Sequence, residues 1–323
     1  MQNIKVTETF VQGRIGETRT GALLRQMRGV WQLYALLVVP ILFLAVFNYY
    51  PMYGALLAFK DYKVKLGILG SPWADQLGFE NFLRFFSNYN FRECLINTVW
   101  LSLYSILASF PCSILLALGL NYAISVRFKK VVQLISYSPY FISMIVVAGM
   151  IGILLNTRTG ALGRTVHALT GVNLLASASA FPSLYVWSGV WQGVGFGAII
   201  YIASLAGVNP EQHEAAIIDG ATILQRIRHV DMPAILPTAT IMLILSMGGI
   251  LNVGYEKVLA MQNPNNLRTS EVISTYAYKV ALVSSIPDFS YATAIGLFQS
   301  LVGLLLILAV NRISRKLSSE SLW

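Results

Sequence analysis

Side chains able to do ionic or acid–base chemistry are sparse in this sequence, and they crowd into one short stretch. Residues 214–221 read EAAIIDGA, placing Glu214 and Asp219 beside a glycine. The next segment, TILQRIRHV, adds Arg226, Arg228 and His229. Acids and guanidinium groups at that density make a docking surface. They do not make an enzyme, because no nucleophile in the chain is paired with a base in a catalytic pattern. His167, His213 and His229 are dispersed, which is not metal-ligand spacing. No G-x-x-x-x-G-K-[ST] occurs, and none of the nine lysines follows a glycine, so the chain has no phosphate cradle of its own.

Local sequence says how this stretch is held. Asn209-Pro210 is a helix start, with a capping side chain followed by a proline in the first turn. Glu211 and Glu214 then fall where the helix dipole favours acids. The helix runs to Asp219 and breaks at Gly220, which tolerates a left-handed turn. A second helix starts near Thr222, with Ile223, Ile227 and Val230 on one apolar stripe. Pro233 and Pro237 are expected to reset the chain before the next apolar run. Ala215, Ala216 and Ala221 leave little bulk near the turn, so another protein's surface can approach the backbone closely.

The surroundings of this loop are apolar. Of 323 residues, 56% are hydrophobic and 11% charged, whereas soluble domains carry charge on about a quarter of residues. Windows 29–59, 94–126, 131–157, 165–210, 232–255 and 289–311 contain no Asp, Glu, Lys or Arg. Each exceeds the roughly 20 residues a helix needs to cross a hydrocarbon core. The reading is an all-α integral membrane protein with six spanning helices, near 31–53, 95–123, 131–155, 181–205, 234–255 and 291–311. No Asp, Glu, Lys or Arg falls inside these spans, which argues against an intramembrane proton relay. The first span starts too far in, and is too long, for a cleavable signal.

The organisation that follows has four parts: a basic tail 1–30, partly helical against the inner leaflet; 31–93, the first span and an outer loop; 94–316, a core containing the loop 206–233; and a tail 317–323. With both termini inside, the inner segments hold Lys5, Arg14, Arg19, Arg25, Arg28, Arg127, Lys129, Lys130, Arg226, Arg228, Arg312, Arg315 and Lys316. That bias is modest, and clearest where RFKK and NRISRK flank span ends. The net charge of +9 therefore implies a membrane face and no nucleic acid. Cys94 and Cys112 fall on one helix, about 27 Å apart at 1.5 Å per residue, too far for a disulfide. Phe82, Phe85 and Phe86 recur at helical spacing and are expected to form a short interfacial helix in an aromatic belt. The polar segment 256–288 is expected to be an outer lid or docking loop.

E-A-A-x-x-D-G-A with a downstream P-x-x-x-P resembles the EAA loop of ATP-binding-cassette importer permeases. WSGVWQGVGFGAIIYIASLAGVNPEQHEAAIIDGA resembles the fourth span and coupling loop of carbohydrate permeases of the maltose-transporter type, and YSPYFISMIVVAGMIGILLN their third span. QLYALLVVPILFLAVFNYYPMYGALLAFKDY resembles a subgroup handling oligosaccharides from polysaccharides such as alginate and pectin. The resemblance covers about 31–316. It departs at Asn209 and Ile227, where Ile and Phe are common, and after Gly160, where the chain reads ALGR in place of an Asn.

The resemblance implies a type I importer permease fold whose cytoplasmic coupling helix docks on an ATPase through Glu214, Ala215, Ala216, Asp219, Gly220, Ala221 and Arg226; Pro237 also matches the motif. The implied partners are a second permease, two ATP-binding subunits that bind ATP and Mg, a soluble solute-binding protein and the bilayer; this chain itself binds no cofactor. The implied location is the bacterial cytoplasmic membrane and the implied cargo a sugar or oligosaccharide. A sugar path there is built from aromatic faces and neutral hydrogen-bonding groups. The candidates are Tyr137, Tyr140, Trp187, Ser188, Trp191, Gln192, Asn252 and Tyr255. Trp187, Ser188 and Trp191 share a face, with Gln192 beside it. The competing readings are an ATP-independent carrier of neutral solutes and a membrane scaffold or receptor.

The orientation is checked by labelling single cysteines in intact cells, on a background with Cys94 and Cys112 replaced. An impermeant maleimide is expected to mark Asn265→Cys and spare His213→Cys; labelling of His213→Cys from outside would reverse the orientation.

Overall fold

The computed structural model describes residues 29–317; the two expected tails, but for their innermost residues, lie outside the described residues. The chain forms two units, 1–56 and 57–323. The first unit carries most of α1 (Trp31–Phe59), an apolar helix long enough to cross a membrane. Within it a π turn, Ala45–Tyr49, comes just before Pro51. A proline has no N–H and its ring crowds the preceding turn, and a widened turn relieves both.

The second unit holds α2 (Glu80–Ser87), α3 (Tyr89–Tyr122), α4 (Val126–Tyr137), α5 (Met144–Leu154), α6 (Ala161–Thr170), α7 (Phe181–Ala206), α8 (Pro210–Ile218), α9 (Ile223–Gly248), α10 (Tyr255–Met261), α11 (Ile273–Tyr278) and α12 (Phe289–Leu317). No strand ladder forms among the described residues; there is one isolated bridge, Lys60–Trp73. Four of these helices, α3, α7, α9 and α12, are long and apolar enough to span a membrane. Cys94 and Cys112 both lie on α3 and are free, as their spacing requires.

Helix α7 is the axis of this unit and packs on α3, α4 and α9. Ile114, Ala117 and Leu118 of α3 meet Ala198, Tyr201 and Leu205 of α7 and Ile235 and Ala239 of α9 in one buried cluster. In lipid the contact between helices depends on close backbone approach, because acyl chains are as apolar as leucine. Glycines supply that approach. A Cβ at Gly195 would overlap the Ser136 backbone of α4, and one at Gly248 would overlap Ile307 of α12.

Four expectations from sequence need correction. The third span is not one helix. α4 continues as a 3-10 turn through Phe141, and α5 leaves it at 100°. Pro139 weakens the helix there, and Ile142 and Ser143 take extended backbone. The fifth span does not start after Pro233 and Pro237. α9 runs unbroken from Ile223, with a π turn at Ile227–Asp231 ahead of Pro233, as α1 does ahead of Pro51. It ends at Gly248, so Asn252 and Tyr255 lie beyond it.

The expected short aromatic helix forms as α2, but Phe85 is core and not belt, while Phe86 stays exposed. Phe85 is fully buried, with Phe91, Phe298 and Tyr291 around it at ring distances of 4.8, 5.5 and 6.3 Å. Segment 256–288 is not a lid. Val258, Val272 and Ile273 are fully buried, and α10 packs on α5.

Candidate functional site

Two features stand out: the loop 206–233 and a cavity beside α7. In the loop, Asn209 caps α8 by accepting the Glu211 N–H at 3.0 Å. The C-terminus closes on Gly220, whose φ is +75°. The Gly220 N–H donates to Ile217 O and the Ala221 N–H to Ala216 O, at 3.0 and 2.9 Å. This double closure needs a left-handed residue at the turn, and glycine supplies it. Thr222 and Gln225 then cap each other reciprocally at the start of α9.

The result is a rigid knob. Glu214, Ala215, Asp219 and Gly220 are exposed, and Ala216, Ala221 and Arg226 are half-buried. Ile217, Ile218, Ile223 and Leu224 stand exposed around them. Of the expected stripe, Ile227 packs on the core of α3, α7 and α9, while Ile223 faces out.

The knob is anchored through a residue absent from the sequence reading. Asp231, in the π turn, is completely buried. The Tyr122 hydroxyl at the end of α3 donates to its Oδ2 at 2.6 Å. His213 Nε2 of α8 lies 3.3 Å from Oδ1, at ion-pair distance but outside hydrogen-bond geometry. The Arg226 guanidinium lies over the Tyr122 ring at 5.3 Å. One carboxylate thus joins the loop, α3 and α9. Its signal in sequence is an acid directly before Met232-Pro233, at the edge of a charge-free window.

The cavity has a volume of about 750 Å³. It is walled by Ser105 and Ser109 of α3, Tyr140 to Met144 at the broken span, Tyr185, Val186, Gly189, Val190, Gln192 and Gly193 of α7, and Gly254, Glu256 and Lys257 at α10. Of the eight path candidates it gathers Tyr140 and Gln192. The Tyr140 ring stacks on Phe196 at 3.9 Å. The buried Gln192 amide donates to Ile142 O at 2.6 Å, so it closes the broken span as well as lining the cavity.

The other candidates lie elsewhere. Trp187 and Ser188 border a separate apolar groove with Leu154 and Leu162. The Trp187 indole donates to Tyr104 Oη at 2.9 Å, and the Ser188 hydroxyl to Leu184 and Tyr185 carbonyls of its own helix. Trp191 is half exposed, Tyr137 half-buried, and Asn252 exposed. Tyr255 stacks on Tyr278 at 5.3 Å.

Lys257 was also missed, because it lies two residues past a charge-free window. It is 4% exposed, its ammonium donates to Tyr185 O at 2.9 Å, and it lies 4.7 Å from the Tyr185 ring. Burial pulls its pKa down to about 8.

The family model for the binding-protein-dependent transport system inner membrane component matches residues 98–319. The chain belongs to this family. It is 38% identical over 298 residues to protein LplB of Bacillus subtilis (strain 168), covering 92% of each chain. It is 36% identical over 293 residues to the polygalacturonan/rhamnogalacturonan transport system permease protein YteP of the same organism, covering 90% of each. Among solved structures it is similar to a bacterial alginate ABC transporter in complex with an alginate pentasaccharide-bound periplasmic protein. That match has 34% identity and a TM-score of 0.82, and covers 93% of this chain and 99% of that one. The six-span reading and the type I importer permease fold stand, with the third span broken.

Removing the Tyr122 hydroxyl leaves the fully buried Asp231 carboxylate without its hydrogen bond, whereas on an Asp231→Ala background the hydroxyl has no carboxylate to serve. Tyr122→Phe is expected to destabilise the purified protein by about 2 kcal/mol, and by no more than about 0.5 kcal/mol when added to Asp231→Ala, read by reversible unfolding in mixed detergent. An equal loss on both backgrounds would mean that the carboxylate is not the anchor.

Proposed function

We propose that this chain is the permease subunit of an ATP-driven importer that moves a sugar or oligosaccharide handed over by a soluble binding protein. The observation that carries this reading is the exposed knob of loop 206–233, built without a break onto the spanning helix α9. A displacement of the knob is a displacement of α9, and Asp231 carries it to α3. Both helices pack on α7, whose other face lines the cavity. The similarity to permeases named for polygalacturonan and alginate transport supports an oligosaccharide cargo. The periplasmic protein in the alginate complex supports delivery by a binding protein.

In this reading the knob faces the cytoplasm, together with both termini. It docks on one of two ATP-binding subunits, which hold ATP and Mg, while a second permease completes the translocation pathway. Glu214 and Asp219 present negative charge to the ATPase, and Ile217, Ile218 and Leu224 fill an apolar socket. ATPase closure pushes α8, and α9 and α3 follow, so that the cavity exchanges access between the two sides. An ATP-independent carrier has no use for such a knob.

The test uses the complete complex. Glu214→Lys reverses the charge offered to the ATPase, and Gly220→Val forces a β-branched residue to positive φ at a cost of roughly 1–2 kcal/mol. Both are expected to lower uptake and weaken association of the ATPase while the chain still inserts. Normal ATP turnover and uptake in both variants would make the loop a plain connector.

A further inference from the structure

Among the described residues two lysines are buried, Lys60 and Lys257, and they differ in what surrounds the ammonium. Lys60 is caged: its Nζ donates to Leu69 O at 2.9 Å and Ser71 O at 3.0 Å, with the Trp73 ring 5.3 Å away. Lys257 has a single acceptor, Tyr185 O, and the face of the same tyrosine. Among the described residues no carboxylate lies within 4.0 Å of it; the Lys, Arg and His ion pairs are made by Lys63, Arg84, His213 and Lys279. An ammonium has three donors, and burying one without an anion is unfavourable. Among the described residues Tyr185 O is the one acceptor its three donors find, and its side chain forms part of the cavity wall.

Space is also reserved there. A Cβ at Gly189, across on α7, would stand 3.3 Å from the Lys257 Nζ. Around the same cavity, Ser105 and Ser109 offer hydroxyls and Tyr140 offers an aromatic ring. Glu256 is the one acid on the wall. It is exposed and more than 4.0 Å from the ammonium, and it suits sugar hydroxyls as an acceptor while repelling a second carboxylate.

We propose that Lys257 is a specificity-determining residue that holds the carboxylate of a uronic-acid unit as an acidic oligosaccharide passes through this cavity. The inference rests on the oligosaccharide-import reading given above and names the substrate class. The carboxylate supplies the acceptors the ammonium lacks, in a charge-assisted hydrogen bond strengthened by the low dielectric around it. Hydroxyls of the same unit meet the serines, and its ring lies against Tyr140.

The test measures uptake into proteoliposomes carrying the complete importer, with its binding protein outside and ATP on the ATPase side. The probes are trigalacturonate and its fully methyl-esterified form, which keeps the sugar and removes the charge. The readout is the ratio of acid uptake to ester uptake, compared between permease variants with the same binding protein, so that the binding protein's own preference cancels. Lys257→Gln is expected to lower that ratio about tenfold, the loss of one charge-assisted hydrogen bond. Lys257→Arg is expected to hold the ratio within about twofold, by the same conversion.

An unchanged ratio in Lys257→Gln, or an equal fall in acid and ester uptake, makes the lysine a tie between α10 and α7 and overturns the proposal. If Lys257→Gln does not assemble, Gly189→Ala decides. It keeps the lysine but crowds the ammonium, and a lowered ratio is expected; an unchanged ratio overturns the proposal. Uptake of the ester but not the acid by wild type overturns the carboxylate assignment and leaves the importer reading standing. Absence of ATP-driven uptake of either probe overturns both.

Discussion

A peptide group that leaves a helix within an apolar layer has no water to turn to, so the protein must supply its partner. This constraint governs the second unit. Where the third span breaks, Gln192 donates to Ile142 O at 2.6 Å. Beyond the end of α9, Gln299 donates to Leu251 O at 2.9 Å and Ser274 to Val253 O at 2.7 Å. At the start of α11, the Ile273 N–H donates to Thr98 Oγ1 at 2.9 Å. Asn97 donates to the carbonyls of Arg268 and Glu271, both at 2.9 Å. Side chains, all but Ser274 on the long helices, thus satisfy the broken backbone between them, and that is what allows irregular chain to line a cavity.

The same arrangement divides labour. The long helices α3, α7 and α9 pack closely through small residues such as Ala117, Ala198, Ala239 and Gly197. The broken segments around Ile142 and Gly254 give the cavity polar groups without exposing them to lipid. The knob lies at the other end of α7, roughly 27 Å along the helix from Gly189 by the rise of an α-helix. Among the described residues Asp231 is the one charged group fully buried between knob and bundle, and from α9 it reaches both Tyr122 of α3 and His213 of α8.

Much of this was legible in the sequence because its causes are local. Charge-free windows give the spans because a charge is costly in hydrocarbon. Asn209-Pro210 and Gly220 give the ends of α8 because caps and left-handed turns are properties of single residues. What was not legible depends on partners far along the chain. Ile142 can leave its helix because Gln192, fifty residues away, receives it. Phe85 reads as a belt residue until Phe298 and Tyr291 enclose it. Pro233 and Pro237 read as breakers, but a π turn absorbs the first and α9 carries the second. Lys257 and Asp231 carry the wrong charge state for a buried site by composition alone, and only three-dimensional packing shows that one faces a cavity and the other a tyrosine. Trp187, Ser188 and Trp191 share a helix face, as spacing predicts, yet the cavity opens on a different face of α7.

The central claim is that movement of ATPase subunits reaches the cavity through this chain. The most direct measurement follows ATP hydrolysis and oligosaccharide uptake together, in vesicles holding the purified complex with no ion gradient, with and without loaded binding protein. The predicted result is uptake that requires ATP, with hydrolysis stimulated by the loaded binding protein. Uptake that continues without the ATP-binding subunits, or that follows an imposed ion gradient, would contradict it.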